Sequence, residues 1–403
     1  MAEGWSHFAV RFSDYYNSLS EKNIWIPPRL KNREWMFVPW GNRIPKRHRS
    51  FRTKTELHDY IKKENPNSCF HSTAYYEDAS ERKMSEKGWL GADLIFDLDG
   101  DHLPGINTTD FPNLLNTIQD QAWKLWSEFL EPEFGFEEKY VQTSFSGHRG
   151  FHIHVRDPNL LHLDSNARRE IVNFIRGEGI DTNLSLLGPD LSWGKRVRSG
   201  INSTFDKLSI INSGTDESEI ELNRLYDIIK IQSKKQNFNQ NKNSITKTKL
   251  RELAKLSSDD KRVSRLMDDN TLTVFGESLT QIFWDLVRGD SSIVLNTAGE
   301  TDEAVTVDTK RVIRWIGSLH GKSGLKVTEF PINRLDPNSN NHFNALNEAV
   351  VFSSQKKKNI ELTQDNIFAE IKENTLEGNK GDNRVVSEAM ATFLCLKGWA
   401  KII

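Results

Sequence analysis

Residues 92–99 (ADLIFDLD) restrict the fold of this chain more than any other part of its sequence. The apolar run followed by Gly100 predicts a core strand that ends at the edge of a sheet. Side chains alternate between the two faces of a strand, so Asp97 and Asp99 are predicted to share one face. Two carboxylates placed in this way can hold two divalent cations, because ions such as Mg²⁺ prefer carboxylate and phosphate oxygens.

The carboxylate pair has two other interpretations. Both aspartates could simply end a strand in solvent. The run FDLDGD also resembles the nucleophile motif of haloacid-dehalogenase-type phosphatases, in which Asp97 would become a phosphoaspartate and Asp99 the general acid. Asp101 stands where that motif has threonine or valine, and the motif usually opens its domain. The phosphatase interpretation is therefore the weaker one.

Composition sets broad limits on the class of protein. The chain has 403 residues, and its 54 lysines and arginines nearly balance its 56 aspartates and glutamates, so any basic surface must be local, as at 43–49 (RIPKRHR). Cys69 and Cys395 are too few and too distant for a disulfide framework, which predicts two small buried residues. The N-terminus lacks a signal pattern and no apolar run approaches a membrane span, so we expect a soluble protein in the cytoplasm.

The chain is predicted to fold as a mixed α+β protein with central β-sheets flanked by helices, a helical insertion and a helical C-terminus. Four parts are predicted: residues 1–205 as the first part of a catalytic core, 206–296 as the helical insertion, 297–352 as the second part of the core, and 353–403 as two C-terminal helices. The insertion is placed where charged residues and asparagine become frequent.

Local patterns predict the elements next to the carboxylate pair. Apolar residues spaced by three and four over 113–130 predict an amphipathic helix that packs on the sheet. A strand is predicted to begin at Lys139, and another is predicted over 304–308. A helix containing ARREIVNFI is predicted to begin after Asp164 or Ser165, either of which can cap it.

A basic turn, residues 146–152 (SGHRGFH), leads into a predicted strand over 151–155. Its glycines let the backbone approach a ligand closely, and the guanidinium of Arg149 suits phosphate oxygens. The turn therefore fits a nucleoside triphosphate, although a hairpin with solvated charges has the same composition. His152 and His154 share a strand face and could form a metal pair, but core packing is the favoured interpretation of His154.

A second glycine-rich segment, residues 317–324 (GSLHGKSG), follows Arg311 and Arg314. It places His320 and Lys322 in a loop whose backbone can approach a triphosphate. The segment is not a P-loop, because its spacing G-x-x-x-G-K is one residue shorter than that motif requires. Taken alone, it is a weak indication of phosphate binding.

Three segments together resemble the catalytic blocks of the archaeal-type DNA primase small subunit, within the archaeo-eukaryotic primase superfamily. They are DLIFDLDGDH (93–102), SFSGHRGFHIHV (144–155) and DEAVTVDTKRVIRWIGSLHGKSGLKV (302–327), in that order. The resemblance spans roughly residues 20–350 and includes RHRSF (47–51), STAYYED (72–78) and EKGWLGAD (86–93). It implies a primase-type catalytic core.

The resemblance also implies a role for individual residues. Asp97 and Asp99 match the paired metal-binding aspartates, and the third acidic ligand falls on Asp302, with Asp308 as its rival. The residues that match nucleotide contacts are Arg47, Ser146, Arg149, His152, Arg314, His320 and Lys322. His148 stands where many relatives have a second arginine, which makes one phosphate contact doubtful or sensitive to pH.

The activity that the resemblance implies is synthesis of short RNA primers on single-stranded DNA by two-metal nucleotidyl transfer. Mg²⁺ or Mn²⁺ is the expected cofactor, ribonucleoside triphosphates are the expected substrates with deoxyribonucleoside triphosphates as an alternative, and the primase large subunit is the expected partner in a heterodimer. No structural zinc is predicted, because residues 105–119, where several relatives carry a zinc knuckle, contain no cysteine. The alternatives are a primase-polymerase of repair or gap filling and a catalytically silent nucleic-acid-binding subunit.

Overall fold

The computed structural model describes residues 5–41, 44–100, 108–177, 192–235, 245–291, 303–372 and 374–403. The chain divides into two compact units, one formed by Met1–Val172 with Leu295–Ile403 and the other by Asn173–Val294. Antiparallel sheets and helices build the first unit, and the described part of the second is helical. The predicted mixed α+β fold class is therefore confirmed.

The strands are β1 (Trp35–Val38), β2 (Lys46–Arg49), β3 (Ser68–Ser72), β4 (Ala74–Tyr76), β5 (Trp89–Ala92), β6 (Leu94–Asp99), β7 (Val141–Phe145), β8 (Gly150–Val155), β9 (Val312–Arg314), β10 (Thr328–Phe330), β11 (Lys357–Leu362), β12 (Ile367–Ile371), β13 (Asn374–Gly378), β14 (Asn383–Ser387) and β15 (Ala400–Ile402). The α-helices are α1 (Trp5–Ser18), α2 (Lys54–Glu64), α3 (Phe111–Leu125), α4 (Ser165–Arg176), α5 (Ser192–Asn212), α6 (Asp216–Lys235), α7 (Lys247–Ser257), α8 (Asp260–Met267), α9 (Glu277–Ser291), α10 (Glu303–Val307), α11 (Ala345–Glu348) and α12 (Glu388–Leu396).

The carboxylate pair lies on an antiparallel sheet of four strands in the order β10-β7-β8-β6. Strand β6 buries its apolar residues and leaves Asp97 and Asp99 partly exposed, which confirms the predicted strand and the shared face. Helix α3 packs against β6 and β8, and a side chain at Gly100 would lie 2.8 Å from Leu114. The helix predicted over 113–130 is therefore confirmed, with a π-helical last turn at Trp126–Leu130.

Further local predictions agree with the structure. Strand β7 begins at Val141, directly after a 3-10 turn that contains the predicted start at Lys139. The side chain of Asp164 accepts a backbone N–H from the first turn of α4, so this residue is the cap. Cys69 and Cys395 are both buried free thiols, as predicted.

A second antiparallel sheet, in the order β2-β1-β3-β9, supplies the opposite wall of the site. Strand β9 pairs with β3 so that Arg314 lies opposite Phe70. The hydrogen bond from the N–H of Trp315 to the carbonyl of Cys69, at 2.9 Å, continues this pairing beyond the strand. The start of the segment after β9 is thereby fixed to the second sheet.

The strand predicted over 304–308 is wrong, because Glu303–Val307 forms the short helix α10. Val305, Thr306 and Val307 are all buried, whereas a strand on one sheet face would bury alternate residues. Val305 packs with Ile95 and Ile313. This contact between elements overrides the preference of the β-branched residues for strands.

The two helices predicted over 353–403 are also wrong. Only α12 is helical there, while β14, β11 and β15 form a three-stranded sheet and β12 pairs with β13 as a hairpin. Strand β12 buries Ile367, Ala369 and Ile371 and leaves the residues between them half-buried, which is the strand period of two. The apolar spacing in this region therefore belongs to sheets that pack around α12.

The second unit has a hydrophobic core of its own, which includes Leu222, Leu250 and Phe283. The unit runs over Asn173–Val294, and the predicted insertion spans 206–296. The unit begins earlier in the chain than the predicted insertion, because helix α5 begins before the change in composition on which that prediction was based. In the described part of the chain, no helix is long and apolar enough to cross a membrane.

Candidate active site

Asp97 and Asp99 open into one cavity of about 220 Å³ between the two four-stranded sheets of the first unit. Their side chains are 20% and 35% exposed, so both carboxylates can reach a ligand in the cavity. Eleven residues line it: Phe70, Asp97, Asp99, Ser146, His148, His152, Arg311, Val312, Ile313, Arg314 and His320. The structure thus brings together the carboxylate pair, the basic turn and the segment after β9.

The pairing of β6 with β8 decides which basic group faces each carboxylate. Asp97 lies opposite His152 in the register, and His152 Nε2 is 3.3 Å from Asp97 Oδ1. Arg149 Nε is 3.7 Å from Asp99 Oδ1. His152 is nearly fully buried, so its ring can hold the Asp97 carboxylate in one orientation. The side chain of Arg149 is 21% exposed.

Arg314 is a cationic residue of the cavity that lies near both carboxylates. Burial, opposed by the nearby carboxylates of Asp97 and Asp99, lowers the pKa of its guanidinium to about 10, so it remains charged at neutral pH. The guanidinium lies 4.8 Å from the ring centroid of Phe70. Its buried Nη1 has no hydrogen-bond partner among the described residues. A buried donor of this kind is costly unless a ligand accepts from it.

His148 and His320 come from the two glycine-rich loops, and their rings stack with centroids 4.7 Å apart. Burial and neighbouring cations, chiefly Lys397 for His148 and Arg314 for His320, hold the pKa of both imidazoles well below the usual value. Both rings are therefore neutral at physiological pH. Since His320 Nδ1 accepts the backbone N–H of Lys322 at 3.0 Å, its Nε2 carries the proton and can donate to a ligand.

The remaining predicted residues of the two loops have distinct positions. The buried Ser146 closes the basic turn, where its hydroxyl oxygen accepts the N–H of Gly150 at 3.2 Å. Lys322 is exposed and lines a neighbouring cavity together with Arg149. His154 is fully buried, and burial holds its pKa well below the usual value, which confirms the core-packing interpretation.

Two further predicted site residues, Arg47 and Asp308, line neither this cavity nor its neighbour. Arg47 lies in β2, where its Nε is 3.0 Å from Oε1 of the buried Glu34. Asp308 is exposed and accepts the backbone N–H of Lys310 at 2.8 Å. Asp302 lies outside the described residues. Within those residues, no group of three or more histidine, cysteine, aspartate or glutamate side chains could hold a metal ion.

Two residues of the site were missed in the sequence. Phe70 lies on a short strand with no local pattern that distinguishes it from other buried aromatic residues. Lys397 follows an apolar helix near the C-terminus, and its Nζ is 3.1 Å from His148 Nε2. No local signal links Lys397 to the basic turn, because only the packing of α12 brings the two segments together.

A cavity with two carboxylates on one side and half-buried guanidinium and buried imidazole groups on the other can bind a metal–phosphate ligand. The family model of the DNA primase small subunit matches residues 96–332. The chain is 35% identical to the DNA primase small subunit PriS of Methanothrix thermoacetophila, with 98% of each chain covered. It is 32% identical to that of Methanocella arvoryzae, over 97% of this chain and 96% of the relative.

A third relative is also similar over nearly the whole chain. The DNA primase small subunit PriS of Methanosarcina acetivorans is 31% identical, over 96% of this chain and 94% of the relative. The chain therefore belongs to the DNA primase small subunit family, which confirms the resemblance found in the sequence.

Proposed function

We propose that this chain is the catalytic subunit of a DNA primase, a nucleotidyltransferase that synthesises short RNA primers on single-stranded DNA. One observation carries the proposal: Asp97 and Asp99 face the half-buried Arg314 across a single cavity. Family membership supports the same conclusion. It also favours a polymerase interpretation of Asp97 over the phosphatase interpretation.

The residues of the pair fit the divalent cations that this activity would use. Both carboxylates emerge on one strand face and are partly exposed to the cavity, and carboxylate oxygens together with substrate phosphates are the ligands that Mg²⁺ and Mn²⁺ prefer. Asp97 and Asp99 would hold the two ions, with Asp302 as the proposed third ligand and Asp308 as the alternative. When bound, such ions activate an attacking hydroxyl and stabilise a leaving pyrophosphate.

The other residues would bind and orient the incoming triphosphate. The planar guanidinium groups of Arg314 and Arg149 would donate N–H groups to its phosphate oxygens. His320 would donate from Nε2, and the exposed Lys322 would add a positive charge. The neutral His148 packs against His320 and keeps that donor in place. Because these donors are arranged before the ligand binds, they can stabilise charge that develops during transfer. Ser146 and Arg47 are proposed further contacts to the nucleotide.

His152 has a different proposed role from the phosphate-binding groups. Its Nε2 faces Asp97 Oδ1, so it orients a metal-binding carboxylate while contributing to the nucleotide pocket. The proposed partners follow from the family: the primase large subunit in a heterodimer, a single-stranded DNA template and ribonucleoside triphosphates. Deoxyribonucleoside triphosphates are the alternative substrates.

The test is incorporation of labelled nucleotides on single-stranded DNA without a pre-annealed primer, in the presence of the large subunit and Mg²⁺ or Mn²⁺. Replacement of Asp97 with asparagine should abolish incorporation because it removes one ligand charge. The control is Asp14→Asn, which removes an exposed carboxylate on α1. Activity retained in Asp97→Asn would refute the catalytic assignment. Extension that requires a pre-annealed primer would instead indicate a primase-polymerase of repair or gap filling.

A further inference from the structure

Lys397 lies where the C-terminal helix meets the basic turn. Helix α12 buries most of its side chains, so its C-terminal end has a fixed position in the first unit. Lys397 caps this end, and its backbone N–H donates to the carbonyl of Phe393 at 3.0 Å. The residue lies outside the three sequence blocks that resemble primases and outside residues 96–332, which the family model matches.

The ammonium group of Lys397 is held by rings and not by a carboxylate. Its Nζ is 4.7 Å from the ring centroids of both Phe111 and Trp399. Its Nζ lies within hydrogen-bond distance of His148 Nε2, at 3.1 Å. In the part of the chain that the structure describes, no carboxylate forms an ion pair with it. The amine therefore has N–H groups that can donate to a ligand.

Lys397 lines a cavity of about 260 Å³ next to the one that contains the carboxylate pair. His148 lines both cavities. The three cationic residues Arg149, Lys322 and Lys397 line the second cavity, and no acidic residue of the described chain does so. Like charges gathered in a partly buried space repel one another, and an anion that enters would relieve this repulsion.

The charge state of Lys397 agrees with such a cluster. Burial lowers the pKa of its ammonium group to about 7, and Arg149 and Lys322 lower it further while Asp99 opposes them. A bound anion would reverse the repulsive part of this effect and favour the charged form. The free site therefore stores an unfavourable interaction that a phosphate group would relieve.

We propose that Lys397 binds the terminal phosphates of the incoming nucleoside triphosphate, so that the C-terminal segment completes the active site. The proposal rests on the proposed function and adds to it a phosphate subsite. The carboxylate pair lies in the first cavity, where the bond is made, and the second cavity lies beyond His148. A triphosphate that spans both cavities would place its far end against Arg149, Lys322 and Lys397.

The experiment compares the wild-type heterodimer with Lys397→Met and Lys397→Arg. In Lys397→Met the apolar stem remains and the charge is lost, so KM for the nucleotide should rise about ten- to a hundredfold with a smaller change in kcat, as expected for one charge-assisted hydrogen bond. Lys397→Arg should restore much of the affinity. Lys380→Met, at an exposed position of the same segment, is the matched control and should leave KM unchanged.

Binding measurements separate this proposal from its rivals. The wild type should bind ATP more tightly than ADP or AMP in the presence of Mg²⁺, and Lys397→Met should reduce the preference for ATP over ADP towards one. An unchanged KM and an unchanged preference would overturn the proposal. Weaker binding of single-stranded DNA with unchanged ATP binding would also overturn it, because Lys397 would then contact the template backbone. A wild type that binds ATP with this preference but incorporates no nucleotide would instead refute the proposed function.

Discussion

The rings of His148 and His320 stack at an interplanar angle of 18°, and this contact joins the two glycine-rich loops of the site. It depends on the backbone at Gly147, which has φ +85° and lies so close to the second loop that an added Cβ would be 2.9 Å from His320 Cβ. The hydroxyl of Ser323 donates to the carbonyl of Gly147, which is a second contact between the two loops. The two loops that carry the proposed phosphate-binding groups are therefore in direct contact.

Gly147→Ala tests this close approach. The substitution should lower the free energy of unfolding by about 2–4 kcal/mol, because alanine is unfavourable in the left-handed conformation of this position and its Cβ would clash with the second loop. Nucleotide incorporation should fall as the two loops separate. The measurements are urea denaturation and primer synthesis.

Gly381→Ala is the matched control for Gly147→Ala. Gly381 has φ +90° but nothing within 4 Å of an added Cβ, so it should lose only about 1–2 kcal/mol and keep full activity. Equal losses of stability in the two variants, with activity retained in both, would contradict the inferred contact between the loops.

The two stacked histidines should make stability depend on pH. An unfolded histidine takes up a proton near its ordinary pKa of about 6.5, whereas burial keeps His148 and His320 neutral in the folded state well below that pH. The unfolded state then binds more protons. The free energy of unfolding is therefore largest above about pH 6.5 and falls by about 1.4 kcal/mol per pH unit for each such histidine below it.

His320→Asn isolates one of these contributions. The amide oxygen of asparagine can accept the N–H of Lys322 in place of Nδ1 but does not titrate. Urea denaturation at about pH 7.5 and about pH 5 should show a smaller loss of stability in this variant than in the wild type. A loss of the same size in both proteins would mean that His320 titrates normally in the folded state.

His152→Gln should weaken the proposed metal site without removing a ligand. The ring nitrogen that faces Asp97 at 3.3 Å is lost, so that carboxylate becomes free to rotate. We expect incorporation to fall about 10- to 100-fold and the Mn²⁺ concentration for half-maximal activity to rise, as for groups that orient metal ligands.

The exposed His162 provides the control for this prediction, since His162→Gln lies away from the cavity and should change neither quantity. A lower rate for His152→Gln with an unchanged metal requirement would assign His152 to nucleotide binding alone.

Much of the site could be predicted because it is encoded locally. The period of two along β6 places Asp97 and Asp99 on one face wherever the strand lies, and the glycines of 146–150 permit the tight turn that presents Arg149. The order of the three blocks then identified the family. The binding roles of all the predicted site residues stay predictions, and Arg47 and Asp308 in addition line neither cavity.

Other features were decided by tertiary structure. Residues 303–307 form a helix because Val305 packs with Ile95 and Ile313, and the C-terminal segment forms sheets around α12. Short apolar segments have weak preferences of their own, so contacts with distant elements choose between helix and strand.

The sequence by itself therefore predicted which residues would bind metal and phosphate, and it identified the family to which the chain belongs. Only the tertiary structure decided that Arg314 faces the carboxylates and that Lys397 reaches His148. The physical reason is that the spacing of residues along one strand or helix fixes only which side chains share a face of that element. Which cationic side chain reaches a given cavity depends on how elements far apart in the chain pack together.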